Sequence, residues 1–212
     1  MDHKYYAICI SRTCGSGGTE IGKMLAEQLN IDVYDRKLLR LASDDSGISE
    51  EIFARADQDV KKTLLYKVSR DVYRGEIIPP ESGNFLSDRN LFEYQAKVLK
   101  ELLNRESFVV LGRAADVVLK KHPNAVSIFL SASPEACFKR EKELLQSDDL
   151  AVNRRIDSIN RYRSQYYKYH TGKKWKNPEN YDLCLNTEAL GYQGCVDFIC
   201  DYVEKRLGRE IR

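Results

Sequence analysis

Short, nearly continuous apolar runs alternate along the chain with stretches of helical periodicity. Runs without polar alternation are typical of strands that are covered on both faces, and here they occupy residues 5–11, 31–34, 108–111, 125–130 and 181–186. Helical patterns separate and follow them, over residues 19–29, 36–43, 49–70, 89–104, 114–121, 134–146, 150–169 and 192–207. The alternation predicts a parallel, doubly wound α/β sheet of five strands, in which ligands bind at the carboxyl ends of the strands.

Length and charge point to one nearly neutral domain. The chain has 212 residues, of which 42% are hydrophobic, so we expect one core and treat residues 1–212 as a single domain. Lys and Arg number 34 against 32 Asp and Glu, and the net charge of +2 gives no global argument for a nucleic-acid or membrane partner. The apolar runs are too short to cross a bilayer or to form a secretory signal, so we expect a cytoplasmic protein.

Cysteines and histidines are scattered. The six cysteines lack CxxC spacing and lie in apolar stretches, which favours buried, reduced thiols over disulfides or a zinc site. The three histidines show no ligand spacing, so we expect no histidine metal site. Residues 75–88 carry adjacent prolines and two glycines, which indicates a connecting loop.

A glycine-rich segment follows the first predicted strand directly and precedes a helix. It reads Arg12-Thr-Cys-Gly-Ser-Gly-Gly-Thr-Glu20. Glycines let successive backbone amides converge, and a helix N-terminus adds partial positive charge, so this order predicts a cradle for phosphate. A tight turn without a ligand is the alternative. The residues predicted to bind the phosphates of ATP are Arg12, Gly15, Ser16, Gly17, Gly18, Thr19 and Glu20.

The pattern G-x-x-x-x-G-K-[ST] fits this segment in two registers. Residues 17–23 match its glycines and lysine literally, but Met24 then replaces the hydroxyl residue that binds magnesium, and Lys23 falls within the predicted helix. If the loop begins at the end of the strand, Gly18 takes the position of the phosphate-binding lysine and Glu20 that of the hydroxyl residue. We favour the second register, which keeps the amide cradle and loses its point charge.

Two later stretches, together with the loop, resemble the cytidylate kinases over nearly the whole chain. The first runs from Phe108 through Gly112-Arg113, and continues into Ser127-Ile-Phe-Leu-Ser-Ala-Ser-Pro-Glu135. The second is Tyr181-Asp-Leu-Cys-Leu-Asn-Thr187, which is similar to the last core strand of nucleoside monophosphate kinases. The chain is thus similar to the cytidylate kinase-like proteins. It departs from typical members at Gly18, where they carry lysine, and at Ala114, where they carry aspartate. The threonine of typical members corresponds to Glu20 or to the adjacent Thr19.

The resemblance implies a P-loop NTPase fold of the nucleoside monophosphate kinase type, whose parallel sheet is flanked by helices. It also implies a helical acceptor-binding insertion at residues 36–105 and a basic lid-like segment at residues 147–176. In the lid, residues 157–163 resemble an Arg-Asp-x-x-Asp-x-x-Arg pattern, with Ile156 and Asn160 departing from it. Catalytic arginines are then expected at Arg113, Arg154, Arg161 and Arg163. Helical geometry lets at most one of Arg161 and Arg163 point inward together with Arg154 or Arg155.

On the acceptor side, the resemblance implies contacts with Asp35, Arg36, Arg40, Gln95 and Arg113. A solvent-facing Gln95 and an Asp35 that merely pairs with an arginine are the alternatives. Arginine suits these positions because its planar fork binds phosphate oxygens in pairs and keeps its charge.

Three functions compete. The leading hypothesis is transfer of the γ-phosphoryl group of ATP, with Mg²⁺, to a small-molecule acceptor, and the resemblance suggests a pyrimidine nucleoside monophosphate such as CMP. The second is a non-catalytic nucleotide or phosphate sensor that kept the cradle. The third and weakest is a nucleic-acid or protein interaction module built on the basic, tyrosine-rich residues 153–176, against which the balanced overall charge argues.

Overall fold

The chain folds into a parallel five-stranded sheet. The computed structural model describes residues 4–35, 37–46, 49–52, 77 and 88–211. The strands are β1 (Ala7–Arg12), β2 (Asp32–Tyr34), β3 (Phe108–Leu111), β4 (Ala125–Ser131) and β5 (Leu183–Asn186). Their order is β2-β3-β1-β4-β5, and every pair is parallel. The predicted α/β architecture is confirmed, and the loop after β1 lies at the centre of the carboxyl edge.

Helices connect the strands. They are α1 (Gly18–Gln28), α2 (Lys37–Ser46), α3 (Asp88–Leu103), α4 (Ala115–Val118), α5 (Pro134–Leu145), α6 (Asp149–Thr171) and α7 (Thr187–Leu207). A 3₁₀ turn at Pro178–Asn180 precedes β5. The predicted helix beyond residue 52, most of the predicted loop at 75–88 and Arg36 lie outside the described residues. The proposed insertion at 36–105 therefore stays a prediction.

Two layers of side chains cover the sheet, one on each face. Every residue of β1 is buried, because its side chains alternate between the two layers. Ala7 and Cys9 pack into the layer that contains Phe108 of β3 and apolar residues of α3 and α6. Ile8 and Ile10 pack into the layer formed with α1 and α7. This two-sided burial explains the continuous apolar runs in the sequence.

The last helix begins five residues before its predicted start. Asn186 ends β5, and its side-chain oxygen accepts hydrogen bonds from the backbone N–H groups of Glu188 at 3.0 Å and Ala189 at 3.3 Å. This cap starts a helical turn at Thr187, and Gly191, with φ of 67°, kinks the helix before its main body. The apolar periodicity that predicted a start at residue 192 describes only the part beyond the kink.

The cysteines and the longest helices test two of the expectations from the sequence, buried thiols and the absence of a membrane span. Five of the six cysteines are buried, as expected, and Cys184 is exposed. None of the helices in the described ranges is both long and apolar enough to cross a membrane.

Candidate phosphate loop and arginine cavity

The glycine loop joins β1 to α1 without an intervening element. Gly15 and Gly17 adopt left-handed backbone conformations, with φ of 77° and 76°, and α1 begins at Gly18. Because Lys23 is the sixth residue of α1, the helix bounds favour the register that starts at the strand end over the register that ends at Lys23. Two hydrogen bonds stiffen the turn: the Ser16 hydroxyl donates to the Thr13 carbonyl at 2.8 Å, and the Thr187 hydroxyl donates to the Ser16 carbonyl at 2.7 Å.

Of the two candidates for the hydroxyl position, the residue spacing favours Thr19 over Glu20. In the pattern, the hydroxyl residue follows the lysine position directly, so with Gly18 in the lysine position the matching residue is Thr19. The carboxylate of Glu20 pairs instead with Arg140 of α5, at 3.1 Å. Arg140 also lies over the ring of Tyr192, 4.7 Å from its centroid. Glu20 therefore has a structural partner outside the loop.

A cavity of about 270 Å³ opens beside the loop, at the carboxyl ends of β1 and β3. One wall is formed by the two strand ends and the other by α6 and the segment after it. The lining residues are Ser11, Arg12, Asp35, Leu111, Gly112, Arg113, Ala114, Ile159, Tyr162, Arg163, Tyr166, Tyr167 and Trp175. We call this space the arginine cavity, because three guanidinium groups line it.

Those three guanidinium groups belong to Arg12, Arg113 and Arg163. Arg12 is 91% buried, since its relative exposure is 9%. Burial, together with repulsion from Arg163 and Arg113, lowers the pKa of Arg12 to about 10, and burial also lowers the pKa of Arg163. Asp35, the one acidic residue among the described lining residues, lies 4.0 Å from Arg12. The excess of positive charge is what an anionic ligand would neutralise.

Arg113 lies in the cavity through an unusual backbone conformation. Arg113 and Ala114 both have positive φ, of 60° and 51°, directly after β3. Such conformations are uncommon for residues other than glycine and often occur at functional sites. Ala114 is buried and lines the cavity, so the position at which typical cytidylate kinases carry aspartate presents only a methyl group here.

Helix α6 is attached to the glycine loop by two hydrogen bonds. The side-chain oxygen of Asn160 accepts from the backbone N–H of Cys14 at 2.8 Å, and Nη1 of Arg163 donates to the Arg12 carbonyl at 2.8 Å. Sequence reasoning noted Asn160 only as a departure from the lid pattern and missed this contact. Its spacing of three from Arg163 was the available signal, because such residues share a helix face.

The other lid arginines point elsewhere. Arg154 and Arg161 are exposed and do not line the cavity. Nε of Arg155 pairs with Glu141 of α5 at 3.2 Å. Of the pair Arg161 and Arg163, it is Arg163 that faces inward, so the arrangement gives no support to a catalytic role for Arg154 or Arg161.

The acceptor-side residues are only partly brought together. Asp35 lines the cavity and pairs with Arg12, while Arg40 is exposed on α2 and is not a lining residue. Gln95 is buried within α3, which excludes the solvent-facing alternative, and it too is absent from the described lining. Its side-chain oxygen is buried without a hydrogen-bond partner in the described part of the chain.

The aromatic residues of the basic segment lie mostly inside the protein. Tyr166, Tyr167 and Trp175 are buried and form the far wall of the cavity, with the half-buried Tyr162 beside them. Tyr167 donates a hydrogen bond to the buried carboxylate of Asp116 at 2.6 Å. These buried rings do not form the exposed stacking platform that a single-stranded nucleic acid would need.

Together, the parallel sheet, the glycine loop between β1 and α1 and the arginine-lined space beside it define a P-loop kinase fold of the nucleoside monophosphate kinase type. The model of the cytidylate kinase-like family matches residues 7–189. The chain belongs to that family, as the sequence resemblance predicted.

Two of the curated relatives are named as kinases that act on different acceptors. The chain is 28% identical to a cytidylate kinase of Fervidobacterium nodosum, over 94% of this chain and 96% of that protein. It is also 28% identical to a shikimate kinase of Caldicellulosiruptor saccharolyticus, over 86% of this chain and 87% of that one. The crystal structure of an uncharacterised protein from Eubacterium ventriosum shares the fold, with a TM-score of 0.69 at 22% identity, covering 94% of this chain and 98% of the other.

Proposed function

We propose that the chain transfers the γ-phosphoryl group of ATP to a small anionic acceptor bound in the arginine cavity. The observation that carries this proposal is the position of Arg12, Arg113 and Arg163 around a cavity that adjoins the glycine loop. Phosphoryl transfer requires two anionic substrates held in line and donors that follow the charge of the transferring group. A glycine loop at a helix N-terminus and three guanidinium groups can supply both.

The donor side of the proposal is the loop. The phosphates of ATP would lie on the amides of residues 15–19, where the N-terminus of α1 adds partial positive charge. Mg²⁺ supplies charge neutralisation in such reactions and is held largely by substrate phosphates and water. The hydroxyl of Thr19 fits as its protein ligand, while the described residues contain no group of three or more His, Cys, Asp and Glu side chains that could hold a metal.

We also propose that the protein is cytoplasmic, because ATP is available in that compartment.

The acceptor side is the arginine cavity, and a pyrimidine nucleoside monophosphate such as CMP is the acceptor we propose. Arg113 and Arg163 would pair with its phosphate, and Tyr162 and Tyr166 would contact the flat face of the base. The similarity to the cytidylate kinase of Fervidobacterium nodosum supports CMP. The equal identity to a shikimate kinase is a reason to test an acceptor that is not a nucleotide.

A coupled assay for ADP tests the proposal. ATP, Mg²⁺ and the chain are combined in parallel with CMP, dCMP, UMP and shikimate. We expect ADP formation with CMP, reduced about a hundredfold or more in Arg113→Ala, as for other losses of a donor to transition-state charge. Arg154→Ala is the matched control, because that side chain is exposed, and its rate should stay within about twofold. An ADP rate that no acceptor raises above the acceptor-free rate would refute the proposal.

Gly18 favours a second candidate, a sensor that binds nucleotide without transferring phosphate. The loop presents no side chain at the position where the G-x-x-x-x-G-K-[ST] pattern carries lysine. This candidate requires saturable binding of ATP or ADP in calorimetry together with the absence of turnover on the same four acceptors. A steady-state rate on any of them eliminates it.

A further inference from the structure

Arg12 occupies the first position of the loop pattern, which is ordinarily a glycine. With Gly17 in the sixth position and Thr19 in the eighth, the G-x-x-x-x-G-K-[ST] pattern begins at Arg12 and places Gly18 in the seventh. The chain thus carries a cation where the pattern has glycine and a glycine where it has the cation. The two departures have a shared cause in the structure.

Arg12 and Gly18 are in contact across the loop. A Cβ atom built on Gly18 would lie 2.5 Å from Cβ and 2.8 Å from Cγ of Arg12, closer than nonbonded carbon atoms approach. The backbone fixes the Cβ of Arg12, so this atom cannot swing aside as the tip of the side chain could. A side chain at position 12 therefore requires glycine at position 18.

The tip of Arg12 points away from α1 and into the arginine cavity. Nη1 lies 2.8 Å from the place that a Cβ would take at Gly112, at the end of β3, and Nη2 lies 4.0 Å from Asp35. Nε is fully buried and makes no hydrogen bond within the described part of the chain. A buried guanidinium N–H without an acceptor is costly, and a bound anion would satisfy it.

Other cations near the loop are less suited to replace the lysine. Lys23 is exposed on the second turn of α1. Arg140 pairs with Glu20, and Nη1 of Arg163 is bonded to the Arg12 carbonyl. Arg12 alone among these four starts within the loop and reaches the cavity with an unsatisfied donor.

We propose that Arg12 and Gly18 reflect a reciprocal exchange of residue types. The phosphate-binding cation of the loop stands at the first position of the pattern instead of the seventh. It therefore lies at the boundary between the donor and acceptor substrates instead of on the donor side. Arg12 then contacts the phosphoryl group between the two substrates, an inference that rests on the proposed kinase function for its ligand. The steric half of the exchange is independent of any function.

The steric half of the proposal, that a side chain at position 12 requires glycine at position 18, is tested by the urea concentration at the midpoint of unfolding. Gly18→Ala should lower the midpoint clearly in wild type. In Arg12→Ala, which keeps the offending Cβ, the same substitution should lower the midpoint by a similar amount. In Arg12→Gly the clash is gone, so Gly18→Ala should leave the midpoint unchanged or raise it. Equal effects of Gly18→Ala in all three backgrounds would overturn the exchange.

The charge half of the proposal, that Arg12 supplies the phosphate-binding cation, is tested by calorimetric titration with tripolyphosphate and ATP. Arg12→Ala and Arg12→Gly should weaken binding about tenfold or more, as expected when a charge-assisted hydrogen bond is lost. Arg12→Gly with Gly18→Lys should restore it, because that pair recreates the ordinary loop pattern. Lys23→Ala is the control and should bind as wild type does.

The outcomes separate this inference from the proposed function. Wild-type affinity in Arg12→Ala overturns the relocation of charge while leaving the kinase proposal standing. A wild-type chain that binds neither tripolyphosphate nor ATP overturns the kinase proposal and, with it, the charge half. The circular dichroism spectrum of each variant identifies any that fails to fold, and a conservative Arg12→Lys variant then replaces it, with intermediate affinity expected.

Discussion

Asp116 is a buried acid bonded to Tyr167 of the cavity wall, and its environment makes stability depend on pH. The residue is 6% exposed, and burial raises its pKa to about 6 from an ordinary 3.8, although the hydrogen bond from Tyr167 opposes the rise. A carboxyl group whose pKa is higher in the folded state binds protons more tightly there. It therefore destabilises the fold progressively as pH rises from about 4 to about 6, by up to about 3 kcal/mol.

Replacing Asp116 by Asn should remove this dependence. Asn cannot ionise, and its side-chain oxygen can still accept from Tyr167. The difference in unfolding free energy, variant minus wild type, should therefore increase between pH 4 and pH 6 and stay level above pH 7. Urea titrations across pH 4 to 8 measure it, and Asp157→Asn is the control for the loss of an exposed carboxylate. A flat difference for Asp116→Asn would show that the pKa of Asp116 is ordinary.

At the scale of elements, α6 presents its cavity face through residues spaced by three and four. Ile159, Tyr162, Arg163 and Tyr166 line the cavity, while Arg161 lies on the exposed side. Arg163→Ala should weaken binding of CMP about tenfold or more, because a buried charge-assisted contact is lost. Arg161→Ala should stay within about twofold of wild type. Calorimetric titration compares the two, and similar losses in both would mean that α6 rotates on binding.

The contact between α6 and the glycine loop should protect a backbone amide of the loop from hydrogen exchange. Asn160→Ala removes the acceptor for the Cys14 N–H, which should cost about 0.5–1.5 kcal/mol of stability and accelerate exchange of that amide hydrogen. Asn160→Asp keeps an acceptor oxygen in place and should restore slow exchange. Hydrogen exchange resolved at Cys14 by NMR is the measurement. Unchanged exchange in Asn160→Ala would show that the loop amide is protected without the helix.

The sequence was most informative where structure follows from local pattern. All five strands could be predicted, because a strand buried on both faces needs a continuous apolar run, as in Phe108–Leu111. The loop was equally visible, because Gly15 and Gly17 sit between a strand and a helix. The start of α7 was missed since it depends on a polar cap at Asn186 rather than on apolar periodicity.

Contacts between segments that are distant in the sequence could not be predicted from the pattern of hydrophobic and polar positions. The rotation of α6 about its axis decides whether Arg161 or Arg163 faces inward. The hydrogen bond from Arg163 to the Arg12 carbonyl, between residues far apart in the sequence, fixes that rotation. The dependence of Gly18 on the base of the Arg12 side chain is likewise steric and three-dimensional. The sequence showed only that a lysine was absent.

At the scale of the whole molecule, the chain is nearly neutral while three described guanidinium groups, those of Arg12, Arg113 and Arg163, line one cavity, and this separates the competing functions. A ligand that binds only the folded state at a hundred times its Kd adds about 2.7 kcal/mol of stability, which for a domain of this size corresponds to a rise in Tm of about 5–10 °C. Tripolyphosphate should produce such a rise in wild type and a much smaller one in Arg12→Ala.

A single-stranded oligonucleotide of twelve or so phosphates provides the contrast, because single-strand binding proteins cover sites of about that length. It should raise Tm by less than about 2 °C at 150 mM salt, since Tyr166, Tyr167 and Trp175 are buried and offer no exposed stacking surface. Lowering the salt should increase any residual effect, as expected for contacts with phosphates alone. A rise that matches that of tripolyphosphate and persists in Arg12→Ala would instead favour a nucleic-acid interaction module on the exposed basic face of α6.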